Sequence, residues 1–190
     1  MNKIIWPLLL CAVLCGCGGG ETGNAVQEQY STLETARLEA EVTSHTSTDS
    51  RTFTLLCSYD ADGDTVTTVT APGELAGLTA VVSGTDMTLS SEGLQLPAGA
   101  SLDICPANCL PYLLWALADG YVLEQSSEAL DNTPCLRLAL DTTAPGGGKV
   151  LCAVWLDAEG LFPRYAEFSR NEQVVLTVKL LAFTCTTSEG

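Results

Sequence analysis

The sequence predicts an α+β domain that is mostly antiparallel β-sheet, with ten or eleven strands, one leading helix and one buried central helix. Three observations carry that expectation. Apolar and polar residues alternate in short runs over most of the chain, as in Leu38, Ala40 and Val42 set against Arg37, Glu39, Glu41 and Thr43. That period of two marks a half-buried strand. Compact turn sequences such as Asp62-Gly63 and Glu92-Gly93 separate the runs, so neighbours can pair antiparallel. The rhythm breaks once, over residues 109–118, where apolar residues fill nearly every face of a helical stretch. A helix of that kind has to be buried.

The chain opens with a leader. Met1-Asn2-Lys3 is a short positive start, and residues 4–14 form an apolar run. A membrane span takes about 20 apolar residues, so this run fits a secretory signal instead. It ends in Leu14-Cys15-Gly16-Cys17, which looks like a bacterial lipobox. The Cys17 thiol would take the glyceride, and Gly16 is small enough to enter the peptidase that cuts before the cysteine. Cys11 and Cys15 fit less well, because Leu10 and Leu14 would precede the cut. An ordinary secretory signal with an incidental cysteine is the competing reading. The expected organisation is a signal peptide over 1–16, the lipidated cysteine and a flexible glycine-rich tether over 17–24, and a single domain over 25–190. Stable anchoring needs more than one chain, and a diacylated cysteine meets that condition. The protein is expected outside the cytoplasm, anchored to a membrane and not spanning it.

Composition narrows the partners. The 190 residues carry a formal net charge of −15. Such a surface repels nucleic acid and anionic headgroups, so nucleic-acid binding is excluded and the lipid itself must hold the membrane. Six cysteines lie beyond the leader: Cys57, Cys105, Cys109, Cys135, Cys152 and Cys185. An even number in an exported chain suggests one or two disulfides. Cys105 and Cys109 lead as participants, beside Pro106 in a loop. Buried free cysteine is the alternative for Cys57, Cys152 and Cys185, which sit in apolar strand patterns. With one Cys-x₃-Cys pair beyond the leader and one histidine, His45, neither a metal site nor a cofactor is expected.

Asn24 can cap a helix over 25–35, with Val26, Tyr30 and Leu33 on one face. Strands follow over 37–43 and 51–59, reversed by Ser47-Thr48-Asp49-Ser50. Asp60-Ala61-Asp62-Gly63-Asp64 invites a calcium loop, which wants glycine at its sixth position and glutamate at its twelfth. Thr65 and Ala71 stand there instead, so the stretch is a hairpin turn. Strands over 65–71, 78–83, 87–90 and 94–96 complete a meander. Asn108 then caps the apolar helix, with Pro111 in its first turn and Gly120 at its end. Residues 121–124 resume strand, and 126–134 read as a polar loop. Leu136, Leu138 and Leu140 alternate, 142–149 is a glycine-rich turn, and 150–156 is a central strand. Residues 163–169 and 174–183 form a closing hairpin around Arg170-Asn171-Glu172.

This order of parts resembles the bacterial lipoprotein-carrier (LolA/LolB-like) superfamily. Pro72-Gly73-Glu74-Leu75-Ala76-Gly77-Leu78 is similar to its segment between middle strands. Val154-Trp155-Leu156-Asp157, leading to Gly160-Leu161-Phe162-Pro163-Arg164-Tyr165-Ala166-Glu167, is similar to its closing hairpin, with Phe162 intervening between Leu161 and Pro163. The resemblance spans about Ala25 to Cys185. It implies an open half-barrel of roughly eleven strands whose apolar concavity, lidded by helices, accepts acyl chains. The soluble carrier is unlipidated, so a lipobox points to an anchored receptor-like branch or to lipoproteins of Gram-positive bacteria. An arginine on an early strand of that carrier is linked to ligand transfer, but Arg37 and Arg51 match no such motif here.

The leading functional expectation is binding of a lipid, acyl chain or lipidated peptide. Leu38, Val42, Phe53, Leu55, Leu113, Leu114 and Trp155 are the candidate liners, each with core filling as the plain alternative. The second expectation is a sensor or interaction module that binds a protein partner on its acidic outer face or a strand edge. Catalysis is not expected. His45 has no Gly-x-Ser-x-Gly elbow to serve, and no Cys-x-x-Cys is present.

Overall fold

Alternation along the chain becomes two faces of one sheet. The computed structural model describes residues 19–84, 86–100, 103–143 and 147–188. The expected signal peptide, residues 1–16, and Cys17 lie outside the described residues. Helix α1 (Gly19–Ser31) leads into strands β1 (Leu33–His45), β2 (Ser50–Asp60) and β3 (Thr65–Ala71). A 3₁₀ turn at Gly73–Leu75 precedes β4 (Thr79–Ser83), β5 (Asp86–Ser91) and β6 (Leu94–Ala100). Helix α2 (Cys109–Asp119) is followed by β7 (Tyr121–Leu130), β8 (Thr133–Thr143), β9 (Lys149–Asp157), β10 (Pro163–Arg170) and β11 (Gln173–Thr187). All eleven strands form one antiparallel sheet in the order β6-β5-β4-β3-β2-β1-β11-β10-β9-β8-β7. The sheet is open, with β6 and β7 at its edges. The expected class, strand number and helix pair are all found.

Register shows why this face is buried. Leu138 pairs with Val154, Val154 with Ala166, Ala166 with Val178, Val178 with Val42, and Val42 with Phe53. That is one apolar row across six strands, and cross-strand pairs of this kind are the unit of sheet stabilisation. A second row runs through Leu140, Cys152, Phe168 and Leu176. Both helices cover this face. On the other face stand Glu39, Glu41, Arg137 and Glu167, which keep it wetted.

Helix α2 buries seven of its eleven residues: Cys109, Leu110, Tyr112, Leu113, Leu114, Ala116 and Leu117. Trp115 is the large apolar residue it leaves exposed. Asn108 holds the cap position but makes no side-chain cap bond. Its Oδ1 instead accepts from the Cys105 amide at 2.8 Å, and its Nδ2 donates to the Asp103 carbonyl at 2.9 Å. The residue braces the entry loop, where the sequence suggested a helix cap. The residue that ends the helix, Gly120, is a glycine because a Cβ there would crowd the Ala116 carbonyl oxygen.

Two boundaries differ from the sequence reading. Helix α1 begins at Gly19 and stops at Ser31, so Gly19, Gly20 and Gly23, expected as part of a tether, lie in its first turns. Gly23 lies against Gln125 and Val122, where a Cβ would come within 3.2 Å of Gln125 Oε1. The hydroxyls of Ser31 and Thr32 donate to the Glu28 carbonyl and close the last turn. Residues 126–130 and 133–134, read as loop, are strand. They meet at a two-residue turn, Asp131 and Asn132, with φ of 49° and 64°. Such positive φ values suit the tight hairpin turn that twisted strands favour. The segment looked like a loop because β7 is an edge strand, exposed along most of its length, and carries little apolar patterning.

Candidate functional site

Six of the seven candidate liners meet between α2 and the sheet. Leu38, Val42, Leu55 and Leu113 are fully buried and Leu114 is 2% exposed, while Phe53 packs at the margin of the same cluster. They fill a packed core, so an apolar ligand enters only if α2 parts from the sheet. Trp155 does not join them. It stands on the opposite face, 5.4 Å from the Tyr165 ring centroid, with the Arg137 guanidinium 5.3 Å from its own. Its Nε1 donates to Glu128 Oε2 at 3.0 Å.

Few polar contacts hold α2 down. The Thr142 hydroxyl donates to the Val150 carbonyl at 2.9 Å, so in the Tyr112–Thr142 bond the Tyr112 hydroxyl is the donor. The Tyr112 ring meets Phe168 edge-on at 5.8 Å. Arg170 Nη2 donates to Asp103 Oδ1 at 2.7 Å, tying the loop before α2 to the end of β10. This hydrogen bond holds the Asp103 carboxyl below its ordinary range and raises the guanidinium of Arg170.

The expected disulfides are absent. All six cysteines, Cys57, Cys105, Cys109, Cys135, Cys152 and Cys185, are free thiols. Cys109 is in the first turn of α2, where its amide bonds the Cys105 carbonyl at 3.0 Å. Its Sγ turns to the Pro106 carbonyl at 3.5 Å instead of to Cys105. Burial pushes the Cys57 thiol up to about 11 and raises Cys109 and Cys152 as well. Thiols kept protonated in this way are poor nucleophiles. His45 lies between hydroxyls, with Nδ1 3.1 Å from Ser50 Oγ and Nε2 3.2 Å from Thr177 Oγ1. Its ring thus lacks the carboxylate partner of a catalytic triad. Among the described residues no cluster of three or more His, Cys, Asp or Glu could hold a metal ion. Nor is any described helix long and apolar enough to cross a membrane.

A second feature was not anticipated from the sequence. A cleft of about 550 Å³ opens between β10 and β11, lined by Leu130, Phe162, Arg164, Lys179, Leu181 and Phe183 among others. Its one advance signal was Phe162, the residue inserted between Leu161 and Pro163.

No protein-family model matches this chain, and no curated protein matches its sequence. Solved structures match it in fold. An uncharacterized conserved protein from Thermus thermophilus shares 9% identity over 89% of this chain and 88% of its own, with a TM-score of 0.54. A DUF1329 family protein from Desulfovibrio piger shares 13% identity over 90% and 94%, with a TM-score of 0.50. A LolA superfamily protein from Nitrosomonas europaea shares 11% identity over 88% and 94%, with a TM-score of 0.48. At such identities the likeness is one of fold alone. The open eleven-stranded sheet with two helices on one face is the half-barrel architecture that the resemblance implied.

Proposed function

We propose that this chain is a lipid-anchored, extracytoplasmic binding protein, held to its membrane through Cys17. It takes an apolar ligand (a lipid, an acyl chain or a lipidated peptide) between α2 and the sheet. The observation that carries the reading is α2 itself. It presents seven buried residues to an apolar sheet face, and among the described residues the polar contacts that fasten it include the Tyr112–Thr142 bond, the Asp103–Arg170 pair at its entry and the Gln27 Nε2 bond to the Gly120 carbonyl at its end. Parting it exposes a continuous apolar surface without stranding a buried charge, and such surfaces are where hydrophobic ligands bind. Leu38, Val42, Phe53, Leu55, Leu113 and Leu114 are the contact residues of the open state. The reading includes no catalysis and no cofactor. Turnover that disappeared in His45→Ala or Cys109→Ser would overturn that part.

Native mass spectrometry of the full chain purified from membranes tests the proposal. A diacylglyceryl mass on Cys17, together with a second, dissociable mass released as fatty acid or phospholipid, is the expected result. A chain free of ligand that takes up no added lipid would move the assignment to the alternative, a sensor module for a protein partner. One observation favours that alternative. Trp155, Tyr165 and Arg137 cluster on the outer face, and these residue types dominate binding hot spots.

A further inference from the structure

Strands β10 and β11 pair only from Tyr165–Lys179 to Arg170–Gln173. Beyond Lys179, β11 continues along β1 as far as Thr187. Over the same length β10 turns away to place Pro163 opposite Leu156 of β9. The sheet therefore splits, and the cleft of about 550 Å³ occupies the split. Its volume falls in the range of roughly 300–1,000 Å³ usual for small-molecule sites. It lies apart from the α2 interface.

The cleft has a rigid apolar wall. Phe162 and Leu181 are 42% and 48% exposed, and the Phe162 and Phe183 rings lie 5.4 Å apart. Phe183 in turn lies 6.4 Å from the Tyr30 ring of α1. The loop that presents Phe162 is pinned from both sides. Tyr30 Oη donates to the Leu161 carbonyl at 3.0 Å, and Gln29 Nε2 donates to the Gly160 carbonyl at 3.3 Å. Asp157 Oδ1 accepts from the Glu159 and Gly160 amides. Leu161 holds a φ of 55°, an uncommon conformation for a leucine, which the surrounding bonds maintain.

Charge supplies the second half of the argument. Arg164 is engaged by Asp157 Oδ2 at 3.1 Å. Lys179, in the lining of the same cleft, forms no ion pair among the described residues. Its cross-strand neighbours are Glu41 and Tyr165, and Asp131 also lines the cleft. In a chain with only 8 Lys and Arg against 23 Asp and Glu, a cation with no partner beside half-exposed aromatic residues calls for an anion that carries an apolar tail.

We propose that the β10–β11 cleft binds a single-chain amphiphile with an anionic head, its tail against Phe162, Leu181 and Phe183 and its head at Lys179. The site is separate from the one under α2. Photo-crosslinking distinguishes them in the full chain reconstituted in phosphatidylcholine nanodiscs. Three probes of equal length carry a diazirine in the tail: a fatty acid, a lysophosphatidate and an uncharged fatty alcohol. Peptide mapping should place adducts of the two anionic probes within residues 162–165 and 179–183, and their relative yield tells a carboxylate head from a phosphate one. Lys179→Glu should weaken apparent affinity for the anionic probes about tenfold, the loss of one charge-assisted contact, and leave the alcohol unchanged. Leu181→Asp, on the same exposed surface, should abolish cleft labelling for all three. Adducts confined to α2 and the strands beneath it would overturn the cleft assignment while supporting the proposed function. Cleft labelling indifferent to Lys179→Glu, or equal for the alcohol, would overturn the assignment of the head. No adducts at either place would overturn both.

Discussion

Cys57 shows what burial does to a single group. Its thiol lies in β2 under α2, fully buried, and desolvation raises it from 9.0 to about 11. The folded chain therefore keeps a proton that the unfolded chain loses above about pH 9. Stability from this group is complete below that pH and is lost as the pH rises through about 11. Cys109 and Cys152 are shifted the same way, so the losses add. Urea unfolding followed between pH 9 and 11 should show a falling midpoint, with a shallower fall in Cys57→Ala despite its lower starting value. Equal slopes in the two proteins would contradict the assignment. The same burial orders reactivity at neutral pH. Iodoacetamide followed by peptide mass mapping should label the partly exposed Cys185 and Cys105 well before Cys57, Cys109 and Cys152. At this scale the sequence was readable where one face is polar, as along β1, whose alternation placed Leu38 and Val42 correctly. It failed at Trp155, because β9 buries Cys152, Ala153 and Val154 in succession. Every residue from Val150 to Leu156 is apolar, so the strand's sequence carries no parity and nothing local says which way a tryptophan points.

At the scale of elements, α2 is the hinge of the proposed function, and its anchoring is divided between core and latch. Leu113 has no exposed surface, so Leu113→Ala should cost about 2–5 kcal/mol of stability in chemical denaturation. Loss of less than about 1 kcal/mol would mean that the interface is loose already. The latch behaves differently. Asp103 is exposed, and an exposed ion pair adds little global stability, so Arg170→Gln should leave the unfolding midpoint nearly unchanged. What should change is local opening. Amide hydrogen exchange in residues 109–112 should quicken in Arg170→Gln while β8 and β9 keep their protection. Exchange that quickened evenly over the molecule would rule out a latch. Helix α2 was legible because its breakers, Pro111 and Gly120, fall at its two ends. Helix α1 was legible only in part, since Gly19, Gly20 and Gly23 within it oppose helix formation. Its start is fixed by packing on β7, which lies about a hundred residues away in sequence. Strand β7 itself was missed after Glu124, as an edge strand with few buried residues has no amphipathic pattern to read.

The whole molecule is an open sheet, and an open sheet has two edges to protect. Strand β7 carries Glu124 and Glu128 at its edge, a charged guard of the kind that discourages strand addition. Strand β6 is guarded only by Pro97 and by the register shift at Met87–Thr88, and it leaves Leu94 and Leu96 at 78% and 66% exposure. A net charge of −15 keeps copies apart at low ionic strength, when the screening length is long. Salt removes that protection, since the screening length falls from about 10 Å at 0.1 M to about 3 Å at 1 M. A Cys17→Ser chain, which cannot associate through a lipid, should therefore be monomeric at low salt and form oligomers at 1 M salt in sedimentation velocity. Leu96→Asp should suppress that association, because it places a charge on the unguarded edge. Leu123→Asp, on the β7 edge, should leave it in place. Salt-driven oligomers that persist in Leu96→Asp would show that the contact lies elsewhere. Oligomers lost only in Leu123→Asp would move it to the opposite side of the sheet.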